Sequence, residues 1–310
     1  MKTIRLNQFD ILKGIGIILV MFGHAILGNG LIHNLIYGFH MPLFFFCSGF
    51  FFKDKPLKES IIKDAKGLLI PWMTFCCVLI LCSFILQILS NGLSPQFHPL
   101  DENCYILYYT IWFLVCMFIV RLFYRFISKI NNRLIINILC WGGYFFSFIL
   151  QYNNINFPFF IDSALTMLLF FHIGKIFNSQ EYYKKKLPMW GAIGLVIVYA
   201  LFVWLAAPLV NIKENCFPIY LPVLSIIPIW ALYQICCRMK SVFLLHCGVV
   251  SLTIMGLHHP IYDVVMAPIF NRIIFPYSIE VMLTVVLTLI IVLIINKIIM
   301  KYAPCLLGKF

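Results

Sequence analysis

Lys13 and His24 are the two residues whose types and spacing point most directly to chemistry. They stand eleven positions apart. At about 100° per residue, a helix carrying both brings them within roughly 20° of each other on one face, about 16 Å apart along its axis. Asp10, one turn before Lys13 and about 60° round the wheel, completes a stripe with an ion pair at one end and an imidazole deep in the helix at the other. A lysine holds anions. An imidazole, with an unperturbed pKa near about 6.5, takes up and returns protons close to neutral pH. The plainer reading has Lys13 snorkelling to lipid headgroups, Asp10 capping the helix and His24 satisfied in the interior.

The elements that must position this stripe are apolar. Asp10 to Phe52, DILKGIGIILVMFGHAILGNGLIHNLIYGFHMPLFFFCSGFF, reads as two consecutive membrane helices. Ionisable groups at membrane depth cost several kcal/mol unless they face a protein interior or a wet cavity, which makes them functional candidates. The rest of the chain agrees with a membrane setting: 63% of its 310 residues are hydrophobic and 11% charged, where soluble domains carry about a quarter charged residues. Apolar runs predict ten spans, at about 11 to 28, 33 to 52, 68 to 90, 104 to 127, 134 to 151, 156 to 177, 188 to 208, 217 to 236, 243 to 268 and 279 to 300. With a cytoplasmic N-terminus, all of the 23 Lys and Arg except Lys213 and Arg272 fall in or near inside segments. The expected fold is therefore all-α, a polytopic integral membrane protein of ten transmembrane helices with both termini cytoplasmic. One membrane-embedded domain covers 1–310, with no fused soluble domain. The first apolar run carries Lys13 and His24 and no small-residue cleavage site precedes it, so it reads as a retained helix and not a signal peptide.

The net charge of +12 then describes a cytoplasmic surface facing anionic lipid or an anionic ligand, and nucleic acid is not required. The twelve cysteines show neither a C-x-x-C pair nor a metal spacing and read as packing residues, so no metal is expected. Depth sorts the polar residues into two layers. Lys13, Lys66, Arg121, Arg125 and Lys175 lie near the cytoplasmic side; His24, Asp162, His258, Asp263 and Glu280 lie in the outer half. The arrangement points to an anionic group held inside and a proton-transfer centre further in.

The segments FDILKGIGIILVMFGH and YGFHMPLFFFCSGFFF resemble the start of the acyltransferase-3 family of integral membrane O-acyltransferases. The likeness is greatest to the branch of fucose 4-O-acetylase-like and polysaccharide intercellular adhesin acetyltransferase-like proteins. It continues through KGLLIPW (66–72), IWFL (111–114), IDSALTMLLFFHIGKIF (161–177) and SLTIMGLHHPIY (251–262), and agrees with that family's ten-helix membrane domain. The family's arginine, followed after ten residues by an essential histidine, falls on Lys13 and His24. Lysine keeps the charge and loses the bidentate fork. The basic residues before the proline of the family's third helix fall on Lys63 and Lys66, again lysine for arginine.

The resemblance implies a donor, acyl-CoA of acetyl type, on the cytoplasmic side and a carbohydrate acceptor: a surface polysaccharide, its precursor or a lipid-linked sugar. It also implies a plasma (inner) membrane protein in contact with the bilayer. The donor's anionic head and uncharged pantetheine arm suit the two layers, with Lys13, Lys66, Asp10 and Arg121 as the donor-binding set. His24 is then either the general base toward a sugar hydroxyl or the carrier of an acyl-histidine intermediate. Asp10 is about 21 Å from His24 along the helix, too far to orient it. Asp162 is the first choice for that role, and His258 and Ser48 come next. His40 is expected to bond a backbone carbonyl freed where Pro42 interrupts its helix. A polysaccharide or proton-coupled transporter explains the spans and the buried charges equally well but leaves the family motifs unexplained. A structural partner within a synthase complex would account for the lysine replacements.

Overall fold

The apolar runs fold as helices in the computed structural model, which describes residues 6–26, 30–89, 111–155, 157–206, 221–266 and 276–309. The helices are α1 (Asn7–Ala25), α2 (Leu31–Tyr37), α3 (His40–Phe50), α4 (Leu57–Leu89), α5 (Trp112–Ile127), α6 (Arg133–Tyr152), α7 (Ile161–Ser179), α8 (Met189–Ala206), α9 (Leu221–Cys236), α10 (Val242–Val249), α11 (Ser251–Ile261) and α12 (Tyr277–Tyr302). Each expected span meets a helix. Among the described residues seven segments are long and apolar enough to cross a membrane, and the interrupted pair α10 and α11 would make an eighth. The loop expected at 91–103, and Lys213 and Arg272, lie outside the described residues.

Two of the departures from the expected boundaries bear on the packing. α4 begins at Leu57, eleven residues before the predicted span, because the charged run KESIIKDAK is helical with Asp64 and Ser60 turned inward and buried. A search for apolar runs passes over such an amphipathic entry. The second span, Leu31 to Phe50, is two helices separated at Gly38 and Phe39. Pro42, in the first turn of α3, has no N–H to give to Gly38 four residues back.

The chain packs as two units, the first Met1–Lys55 with Ile119–Ser251 and the second Pro56–Phe118 with Leu252–Phe310. In the first unit, small residues allow two close reciprocal crossings. A Cβ on Gly49 of α3 would fall 1.8 Å from the Phe171 carbonyl oxygen of α7, and one on Gly174 of α7 would fall 2.0 Å from that of Phe46. α1 and α10 meet in the same way, Gly248 against Asp10 and Gly14 against Leu244. Membrane helices lack a hydrophobic force between them and gain their contact from such approach. The outer stripe of α8, Trp190, Ile193, Ile197, Leu201 and Trp204, is exposed and apolar, as a lipid-facing surface requires.

The second unit is held by buried polar and tail contacts. Thr253 of α11 donates to Asn296 Oδ1 of α12 at 2.7 Å, and Phe75 of α4 lies against Gly256 of α11. The chain end turns back onto α4, where the Leu306 carbonyl accepts from the Thr74 hydroxyl at 3.0 Å.

Candidate active site

α1 is one continuous helix from Asn7 to Ala25, so Lys13 and His24 do share a face. Lys13 Nζ lies 2.8 Å from Asp10 Oδ1, which realises the ion pair. This end of α1 is fixed by Phe9, whose ring packs 4.0 Å from that of Phe50 at the end of α3 and 5.0 Å from Tyr233 of α9.

A second group of cations gathers at the same end of the unit. Arg121 donates to Ser48 Oγ at 3.1 Å. Arg125 and Lys175 both lie over the Phe52 ring, 5.1 and 5.6 Å from its centroid, and Lys175 also donates to the Phe52 carbonyl at 3.2 Å. Phe52 is braced by Tyr124, whose hydroxyl meets His172 Nδ1 at 2.9 Å while His172 Nε2 meets Asn137 Oδ1 at 2.7 Å. Since that amide oxygen only accepts, Nε2 carries the proton and Nδ1 accepts from Tyr124. Arg121, Arg125 and Lys175 are thus steered by an aromatic ring, a hydroxyl and a carbonyl, with their heads in one region.

His24 stands at the other end of α1. It occupies the last turn and its ring is exposed, so it is not a histidine buried in the interior. The reason is helix length: α1 ends at Ala25, three residues short of the predicted boundary. The Tyr37 hydroxyl lies 3.3 Å from His24 Nδ1. The preceding residue makes this approach possible, because a Cβ on Gly23 would fall 3.0 Å from the Tyr37 ring. Tyr37 in turn stacks on His33 at 3.8 Å and meets His40 edge-on at 4.8 Å. His40 donates from Nδ1 to the Ile36 carbonyl at 3.0 Å; it caps the backbone as expected, but the carbonyl that Pro42 leaves without a donor is that of Gly38, which accepts from Ser225.

Tyr37 and His33 were not among the sequence candidates. The available signal was the YGFHMP string, in which Gly38 and Pro42 mark a break and an aromatic residue precedes it.

The remaining candidates have partners of their own. Asp162 lies in the first turn of α7, where its carboxylate accepts from Ser163 at 3.3 Å and its carbonyl from Ser147 at 2.6 Å. Ser147 further meets Thr166 at 2.6 Å and accepts from Gln151 at 3.2 Å, so these contacts of Asp162 belong to a buried polar seam between α6 and α7. Ser48 serves Arg121. In the second unit, His258 is buried and donates from Nδ1 to the Ile254 carbonyl at 2.9 Å, which leaves Nε2 as its proton-accepting atom. Lys66 is exposed on α4, and the left-handed turn at Gly308 packs against its carbonyl. The side chain of Asp263 lies outside the described residues.

The chemistry available to the first unit is therefore a cationic end and, about 16 Å away along α1, an accessible imidazole with a phenol on one nitrogen. No curated protein and no solved structure matches the chain. A family model described as an acyltransferase domain, that of acyltransferase 3, matches residues 6–297. With nearly its whole length inside that match, this multi-pass helical membrane protein belongs to the acyltransferase-3 family.

Proposed function

We propose that the protein moves an acetyl group from acetyl-CoA, supplied at the cytoplasmic face, to a hydroxyl of a surface or lipid-linked carbohydrate. The observation that carries this reading is the separation, along one face of α1, of the Lys13–Asp10 ion pair from the His24–Tyr37 pair. Acetyl-CoA has an anionic nucleotide head and an uncharged arm ending in the thioester. In this reading Lys13, together with Arg121, holds the head, and the arm reaches along α1 to His24.

His24 serves as the general base. For Nε2 to carry the free lone pair, Nδ1 must bear the proton and donate it toward the Tyr37 oxygen. The sugar hydroxyl then gives its proton to Nε2 as its oxygen attacks the thioester carbon, the C–S bond breaks, and the departing thiolate takes the proton from Nε2. The reading takes the full set of ten spans, both termini in the cytoplasm, and an acceptor of the kind used by the fucose 4-O-acetylase-like branch, at the plasma membrane.

Mass spectrometry of surface polysaccharide from a strain lacking the gene tests it. Loss of acetyl groups, restored by the intact gene and not by a His24→Ala gene, is the expected result. Unchanged acetylation with glycan accumulating inside the cell would overturn it in favour of a transporter.

A further inference from the structure

A helix broken within a membrane exposes carbonyls that hydrocarbon cannot satisfy, so the break persists only where other groups take them over. The break between α2 and α3 does this with three side chains. The Phe39 N–H reaches back only three residues, to Ile36 O at 3.3 Å. The Leu35 carbonyl accepts instead from the Tyr199 hydroxyl of α8 at 2.7 Å. The Ile36 carbonyl also accepts from His40 Nδ1 at 3.0 Å. The Gly38 carbonyl, for which Pro42 has no N–H, accepts from the Ser225 hydroxyl of α9 at 2.6 Å. Tyr199 and Ser225 are both buried. Gly38 leaves the room this requires, since a Cβ there would fall 2.4 Å from the Tyr199 oxygen.

Tyr37 sits inside this clamp, between Ile36 and Gly38, and its hydroxyl is the group that meets His24 Nδ1. We propose that Tyr199 and Ser225 are positioning residues for the reaction: they hold the break at the one geometry that turns Tyr37 onto His24. The inference rests on the reading of His24 as the base and adds the groups on α8 and α9 that aim it. Loss of either hydroxyl frees a carbonyl, lets the break re-form toward a continuous helix, and swings Tyr37 away from Nδ1. The imidazole then loses its hydrogen-bond partner at Nδ1.

The test uses Tyr199→Phe and Ser225→Ala in the full chain. Turnover is read in membrane vesicles as transfer of labelled acetyl from acetyl-CoA to the endogenous glycan, per amount of monodisperse protein. Donor affinity is read by calorimetry with acetyl-CoA on detergent-purified protein. Each variant is expected to lower turnover on the order of 10- to 100-fold, as misplacement of a catalytic group does, with the acetyl-CoA dissociation constant unchanged. In a His24→Ala background neither should lower turnover further, because the two act through His24. Gly38→Ala should damage the wild-type protein more than the Tyr199→Phe protein, in which the clashing oxygen is gone. Well-folded Tyr199→Phe and Ser225→Ala proteins with wild-type turnover would overturn the inference while leaving His24 as the base. So would losses that add to that of His24→Ala. Wild-type turnover in His24→Ala itself would remove the base and the inference together.

Discussion

The Tyr37 hydroxyl lies 3.3 Å from His24 Nδ1, and the rings cross edge-on at 6.0 Å. In the tautomer that makes Nε2 the base, this contact stabilises the imidazolium formed during transfer. Tyr37→Phe should therefore lower turnover about tenfold with acetyl-CoA affinity intact. His24→Ala should lower it by a factor on the order of 100 to 10,000, the usual size of a general-base contribution. Equal turnover in Tyr37→Phe and wild type would show that Nδ1 is oriented by another group.

Lys13 and Asp10 form the contrasting pair. Lys13→Ala should raise the KM for acetyl-CoA and leave kcat nearly unchanged, because it removes binding that is equal in ground and transition states. Lys13→Arg keeps the cation and should retain most of the activity. Steady-state kinetics at varied acetyl-CoA separates the two outcomes, and a fall in kcat alone would take Lys13 out of donor binding.

The stripe on α1 was legible because residues eleven apart in a helix have a fixed angular relation, and the family likeness extends over the same segment. Tyr37 was not legible as its partner: no periodicity relates residues on either side of a turn, and only the fold brings α2 back onto Gly23 and His24. Depth suggested Asp162 as the orienting group, but depth does not say which way a side chain points, and its seen contacts lie with Ser147 and Ser163. His40 was legible only in part: it caps a backbone carbonyl in the broken stretch, but that of Ile36, whereas the carbonyl that Pro42 leaves without a donor, at Gly38, is taken by Ser225 from another helix. Arg125 and Lys175 were grouped with Lys13 and Arg121 by their place along the chain; that they share Phe52 is a tertiary fact.

The crossing of α3 and α7 makes a prediction about stability and not about chemistry. A methyl on Gly49 would enter the Phe171 carbonyl, and a rigid backbone cannot give way as a flexible side chain can. Gly49→Ala should cost about 1 to 3 kcal/mol or more, seen as a lower thermal transition of the detergent-solubilised protein. Gly142→Ala, at a position where a Cβ meets open space, is the control and should leave the transition in place.

The final prediction concerns sidedness, on which the division of labour along α1 depends. Phe9 packs on Phe50, and Lys175 and Arg125 gather on Phe52, so Lys13, Arg121, Arg125 and Lys175 share one end of the first unit while His24 and Tyr37 lie toward the other. The positive-inside rule predicts that the basic end faces the cytoplasm, the side on which the anionic head of the proposed donor would meet those cations. In a background without native cysteines, Lys55→Cys should react with an impermeant maleimide only after the membrane is opened. Ser94→Cys should react in intact cells. The reverse pattern would turn the cationic end outward, away from the nucleotide donor, and would leave His24 at the cytoplasmic face. Lys13 could then no longer hold the head of a cytoplasmic donor whose arm runs outward along α1. Agreement would put the ion pair on the cytoplasmic side and the imidazole toward the other, as the proposed path of the donor's arm along α1 requires.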